Sequence, residues 1–297
     1  MTDTQDSLAR AARLSFWSGP VSPQPLAGGL TNTNYWVEDR GRKFVVRIGG
    51  DRVEHGIIRS NELAASHAAA EAGVSPIVVH AEPGAMVIDF IEGRSLTPVD
   101  ISDERYLGRI VDLLRRAHHD IPRFFRGPAP LFWVFQVIRD YTHTLEAGES
   151  HYLPMLVRLL DSAERLEKAV GPIELVFGHN DMLAANLIDD GKRLWLVDWD
   201  YAGFNSPLFD LGGLASNNSL SRQESERVLE LYFERPLTDE LRRRAAAMTA
   251  ASLLRETMWS MVSELHSHLV FDYPAYTAEF LGRFQRSLAS FDEMERA

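Results

Sequence analysis

The chain has 297 residues, 45% of them hydrophobic and 25% charged, ordinary for a soluble globular protein and enough to bury a sizeable core in one large domain or two lobes. It has no cysteine, which excludes disulfides and thiolate metal sites and fits a cytoplasmic protein. A net charge of −11 disfavours nucleic-acid binding and favours a cationic ligand.

No apolar run reaches membrane-spanning length, and the polar, acidic start does not resemble a signal peptide. In chain order, the pattern predicts a short helix over 7–16 and then a proline-rich connector to Pro25. A loop with Gly28, Gly29 and Asn32 follows; glycines there would let backbone N–H groups approach a phosphate closely. Strands are expected over 35–38 and 44–48, turning at Arg40-Gly41. A helix over 56–72 ends at Gly73, and strands over 77–80 and 85–88 turn at Pro83-Gly84. Helices are expected over 106–118, 131–147, 152–170, 221–233, 238–267 and 273–291. The first of these carries a stripe at Leu107, Ile110, Val111, Leu114 and Ala117. His118 and His119 are adjacent on that helix and point in different directions, so packing is expected rather than a metal pair.

The most informative run lies between those helices: His179-Asn180-Asp181, then Asn186, then Asp198-Trp199-Asp200-Tyr201. An apolar strand over 175–177 precedes it. A hairpin follows, with 186–188 outgoing, 189–192 turning and 194–197 returning. Folding back places Asn186 and Asp198 at one open end, about 4.8 Å apart laterally, with Asp181 in the loop just before. Three oxygen-bearing side chains at one mouth suit a hard cation that also binds phosphate oxygens.

This run resembles the catalytic loop of the protein-kinase-like phosphotransferases, and the detail is similar to choline/ethanolamine kinases: His-Asn-Asp-Met-Leu with Asp-Trp-Asp-Tyr. Aminoglycoside phosphotransferases, the sister branch, more often have Gly after the His. The resemblance covers roughly residues 26 to 288. It implies an α+β, two-lobe protein-kinase-like fold, with a small N-terminal antiparallel-sheet lobe over 1–93 and a larger, mainly helical lobe over 94–297. The segment Asp89-Phe90-Ile91-Glu92-Gly93 would be the hinge.

By the same resemblance the reaction is transfer of the ATP γ-phosphoryl group to the hydroxyl of choline or a related small cationic amino alcohol. Asp181 would be the base, and Asn186 and Asp198 would hold Mg²⁺. Gly28, Gly29, Asn32 and Arg47 would face the nucleotide, with Glu62 fixing Arg47. Asp200, Tyr201, Trp259 and Tyr276 would form the acceptor site, where aromatic faces and a carboxylate hold a quaternary ammonium. His179 and Asp210 are expected to orient the loop. Ethanolamine, thiamine or an aminoglycoside as acceptor, a non-catalytic nucleotide-binding scaffold, and Mg²⁺-dependent hydrolysis are the alternatives. The sequence gives no oligomeric state.

Overall fold

A computed structural model describes residues 2–26, 32–267 and 269–296. The expected phosphate-loop glycines Gly28 and Gly29 lie outside the described residues. Helix α1 (Thr2–Ala12) leads to β1 (Gln24–Leu26), β2 (Thr33–Asp39) and β3 (Arg42–Ile48). Helix α2 (Arg59–Glu71), β4 (Val78–Glu82) and β5 (Ala85–Asp89) follow. The five strands form one antiparallel sheet in the order β1-β2-β3-β5-β4. Alternation sends Tyr35, Val37, Phe44, Val46 and Val87 into a small core capped by Ala11 and Leu14.

Helix α2 starts three residues later than expected. A 3-10 turn at Val53–His55 and a left-handed Gly56 occupy the preceding positions. Its buried Ala65, Ala68 and Ala69 belong to the larger helical core rather than to the sheet's own. The five-stranded sheet ends at Asp89 and mainly helical structure follows, with α2 packed on α4 (Glu104–Phe124).

After β5 the chain passes Gly93, where an added Cβ would lie 2.6 Å from the Asp189 carbonyl oxygen. Only glycine permits that approach, which lets β6 (Arg94–Ser95) pair with β8 (Leu187–Asp189) of the central hairpin. Short α3 (Pro98–Ile101) opens on a capping box at Thr97 and Asp100. Helix α4 runs past the expected end at 118 because its apolar stripe continues to Ile121. Helices α5 (Val134–Ala147) and α6 (Leu153–Val170) follow, then β7 (Val176–Gly178), β8, β9 (Leu194–Leu196) and β10 (Gly203–Asn205).

Helix α7 (Pro207–Asn217) is not among the expected helices; its cap is Ser206, and Gly212 and Gly213 in its middle lower its intrinsic helix propensity. Gly212 gives close contact with α9 (Asp239–His266), where a Cβ would meet the Thr249 backbone at 3.1 Å. Helices α8 (Arg222–Phe233) and α10 (Tyr273–Arg296) complete the lobe around α9, which is buried along most of its length. Among the described residues no helix is long and apolar enough to cross a membrane.

Candidate active site

The loop after β7 is fixed before any of its groups can act. The backbone N–H groups of His179 and Asn180 each donate to the Asp210 carboxylate at 2.7 Å. His118 Nε2 donates to the same carboxylate at 2.9 Å, since an ionised carboxylate only accepts, and His118 Nδ1 lies 2.7 Å from the Tyr232 hydroxyl. His118 thus packs, as expected, and also anchors the loop, a role the sequence reading missed. A histidine facing a wholly buried acid 92 residues away leaves no local signal.

His179 is buried, its Nε2 is 2.9 Å from the Val197 carbonyl and its ring meets Trp199 edge to face. It orients. Asn180 is left-handed (φ 64°), held there by its amide donating to the Tyr201 and Gly203 carbonyls. Asp198 is left-handed as well (φ 71°). Two non-glycine residues in that region are a local strain held by the surrounding bonds.

The hairpin register is as expected: Leu187 faces Leu196, and the Val197 N–H donates to the Asn186 carbonyl at 3.0 Å. Asn186 and Asp198 therefore stand side by side. The Asn186 amide donates to the Asp181 carbonyl at 3.0 Å, which leaves its Oδ1, the atom a hard cation takes, uncommitted among the described residues. Asp198 keeps 21% of its side chain exposed. No cluster of three His, Asp or Glu side chains among the described residues makes a complete metal cage. Two oxygen donors fit Mg²⁺, which characteristically takes its remaining ligands from phosphates and water.

Arg47 on β3 and Glu62 on α2 form an ion pair, Nε to Oε1 at 2.8 Å, and both are buried. Arg47 Nη2 also reaches Asp198 at 2.8 Å and Asp200 at 3.0 Å. Arg59 was not expected here. Its Nη1 bridges Glu62 at 2.6 Å and Asp200 at 2.7 Å. Asn32 donates to the other Asp200 oxygen at 3.0 Å. Two guanidinium groups thus face three carboxylates, so one negative charge is left for a metal ion to balance.

Asp200, expected in the acceptor site, lines the same cleft as Tyr201, Trp259 and Tyr276, and it also has partners the sequence did not reveal. Its side chain is only 3% exposed and is engaged from the sheet side by Arg47, Arg59 and Asn32. Asp198 and Asp200 both reach Arg47 Nη2, but not through the expected strand alternation, because β9 ends at Leu196 and Asp198 is left-handed.

The expected aromatics do assemble. Tyr201, Trp259 and Tyr276 line one cleft of about 410 Å³ together with Asp181, Asn186 and Asp198. Trp259 Nε1 donates to the Tyr201 hydroxyl at 2.9 Å, and the Tyr276 hydroxyl donates to Glu256 at 2.8 Å. Glu256 is the carboxylate at this end, and Arg255 Nη1 binds its other oxygen at 2.9 Å. Its signal was present in the sequence: Glu256 lies three residues before Trp259, on the same helix face. The far end of the cleft is apolar, with Val45, Ile88, Ile188 and Val197 near the segment at Phe90 and Ile91.

Asp181 stands between the two ends. Burial pushes its carboxyl up to about 8; Arg255 opposes that shift, while Glu256, Asp198 and Asp200 add to it. No donor among the described residues reaches its carboxylate, so both oxygens are open to a ligand.

Residues 24–226 match the sequence model of the choline/ethanolamine kinase family. Protein LicA of Haemophilus influenzae is 30% identical over 69% of this chain, and the match spans 61% of that protein's length. A probable ethanolamine kinase of Arabidopsis thaliana is 27% identical over 86% of this chain and 76% of its own. Among solved structures, a choline/ethanolamine kinase family protein from Mesorhizobium loti aligns with a TM-score of 0.75 at 28% identity, covering 97% of this chain and 98% of the other. Choline kinase LicA from Streptococcus pneumoniae aligns at 0.77 with 21% identity over 98% and 100%, which speaks for the kinase-like fold.

Proposed function

Given that this chain belongs to the choline/ethanolamine kinase family, we propose that it transfers the ATP γ-phosphoryl group to the hydroxyl of a small cationic amino alcohol of the choline or ethanolamine class. One observation carries this reading: a single cleft holds Asp181 with the Asn186–Asp198 pair on one side and Tyr201, Glu256, Trp259 and Tyr276 on the other. A phosphate donor and a cationic alcohol would meet at that carboxylate.

In this reading the acceptor hydroxyl gives its proton to Asp181 as its oxygen bonds to the γ-phosphorus, and the bond from that phosphorus to the ADP oxygen breaks. Asn186 and Asp198 hold Mg²⁺, which when bound neutralises phosphate charge. Arg47, fixed by Glu62, adds a positive group on the same side. The apolar walls at Val45, Ile88 and Ile188 take the nucleotide base. Little covalent chemistry falls to the protein, so positioning and charge carry the rate.

The test is ADP release from MgATP with choline, ethanolamine, thiamine, kanamycin or no acceptor. Stimulation by an amino alcohol and not by kanamycin is the expected result. Absence of MgATP binding, or stimulation by kanamycin alone, would overturn the reading.

Asp200 gives a second test. Because it gathers Arg47, Arg59 and Asn32, Asp200→Asn should raise the KM for MgATP about tenfold and leave the acceptor KM within about twofold. The opposite split in steady-state kinetics would return Asp200 to the acceptor site.

A further inference from the structure

We propose, resting on the amino-alcohol reading above, that Glu256 sets acceptor specificity and that this site selects a primary ammonium over a trimethylated one. A trimethylammonium has no N–H and is held mainly by open aromatic faces. Each of the three rings at this end already has a close neighbour, and for Tyr201 and Tyr276 that neighbour covers one face. The Arg255 guanidinium lies over Tyr201, 4.3 Å from the ring centroid. His55 lies beside Trp259, with centroids 5.3 Å apart and planes 31° apart. Phe280 stacks on Tyr276 at 4.4 Å and 26°. One face of Tyr201 is therefore taken by the chain's own buried arginine.

The carboxylate has capacity to spare. Glu256 takes one bond on each oxygen, from the Tyr276 hydroxyl and from Arg255, and keeps 15% of its side chain exposed in the cleft. A carboxylate offers about four lone-pair positions, so about two remain for new donors. A primary ammonium brings three N–H groups, and each methyl added to its nitrogen removes one. Arg255 and Tyr276 hold the Glu256 carboxylate in place, so the N–H bonds form against an already oriented acceptor.

Ethanolamine, N-methylethanolamine, N,N-dimethylethanolamine and choline form a ladder in which N–H donors fall one at a time. Wild-type kcat/KM should fall along it, by at least about tenfold from end to end. Glu256→Gln should flatten the ladder to within about twofold, with MgATP binding reporting that the variant is folded. Choline used as well as ethanolamine by the wild type would overturn the proposal without reference to any variant. So would a ladder in Glu256→Gln as steep as the wild type's. No turnover with any of the four, while MgATP still binds, would overturn the amino-alcohol reading itself and the inference with it.

Discussion

Asp181→Asn should lower turnover by ~10²–10⁴ while MgATP still binds. The carboxylate lines the cleft between the phosphate end and the acceptor end, and no donor among the described residues engages it. Its burial has two consequences with opposite signs. A base works when ionised, and burial lifts this group to about 8, so wild-type kcat/KM should rise with pH up to that value and level off above it. The residual activity of the variant should lack that limb. For stability, a carboxyl whose folded pKa is raised costs the folded state progressively as pH climbs from the unfolded value of about 3.9 through the folded one. Asn mimics the protonated form, so the variant should melt no lower than the wild type at pH 8. An inactive variant of undiminished stability is lost chemistry. An active one ends the assignment of Asp181 as base.

What was legible in the sequence was local. The catalytic hairpin could be read because its turn, its two short strands and its Asn and Asp are all set within 13 residues, and a β period fixes which side chains share a mouth. The Arg47–Glu62 pair came from the resemblance, and the ion pair is there at 2.8 Å. The partners of Asp200 were not legible because they are remote: Asn32, Arg47 and Arg59 precede it by 168, 153 and 141 residues. No pattern of spacing encodes three side chains arriving from the sheet and α2. Helix α7 was missed for a related reason. Its two central glycines lower intrinsic helicity, and what restores the helix is close packing on α9, a tertiary effect.

The same kind of remote contact makes Asp210 the position where substitution should cost the fold most. Its carboxylate is 1% exposed and accepts from two backbone N–H groups and from His118. Asp210→Ala strands all three buried donors, and a loss of ~3–5 kcal/mol is expected in denaturant unfolding at pH 7. Asp210→Asn keeps one accepting oxygen but turns an N–H₂ toward donors, and about 1–3 kcal/mol is expected. Burial works to raise the Asp210 pKa, but the His118 hydrogen bond and charge, with the His179 N–H, hold it below the usual range. A depressed folded pKa contributes stability that is complete above the unfolded value and lost as pH falls through the folded one. The wild-type advantage over Asp210→Asn should therefore be full at pH 7 and shrink below about pH 4. Equal stability of the two proteins at pH 7 would remove the anchoring role. Because Asp210 holds the backbone at His179 and the left-handed Asn180, immediately before the proposed base, the Asn variant should lose kcat more than it raises either KM. A carboxylate that touches no substrate would then be seen acting on turnover through the placement of Asp181 alone.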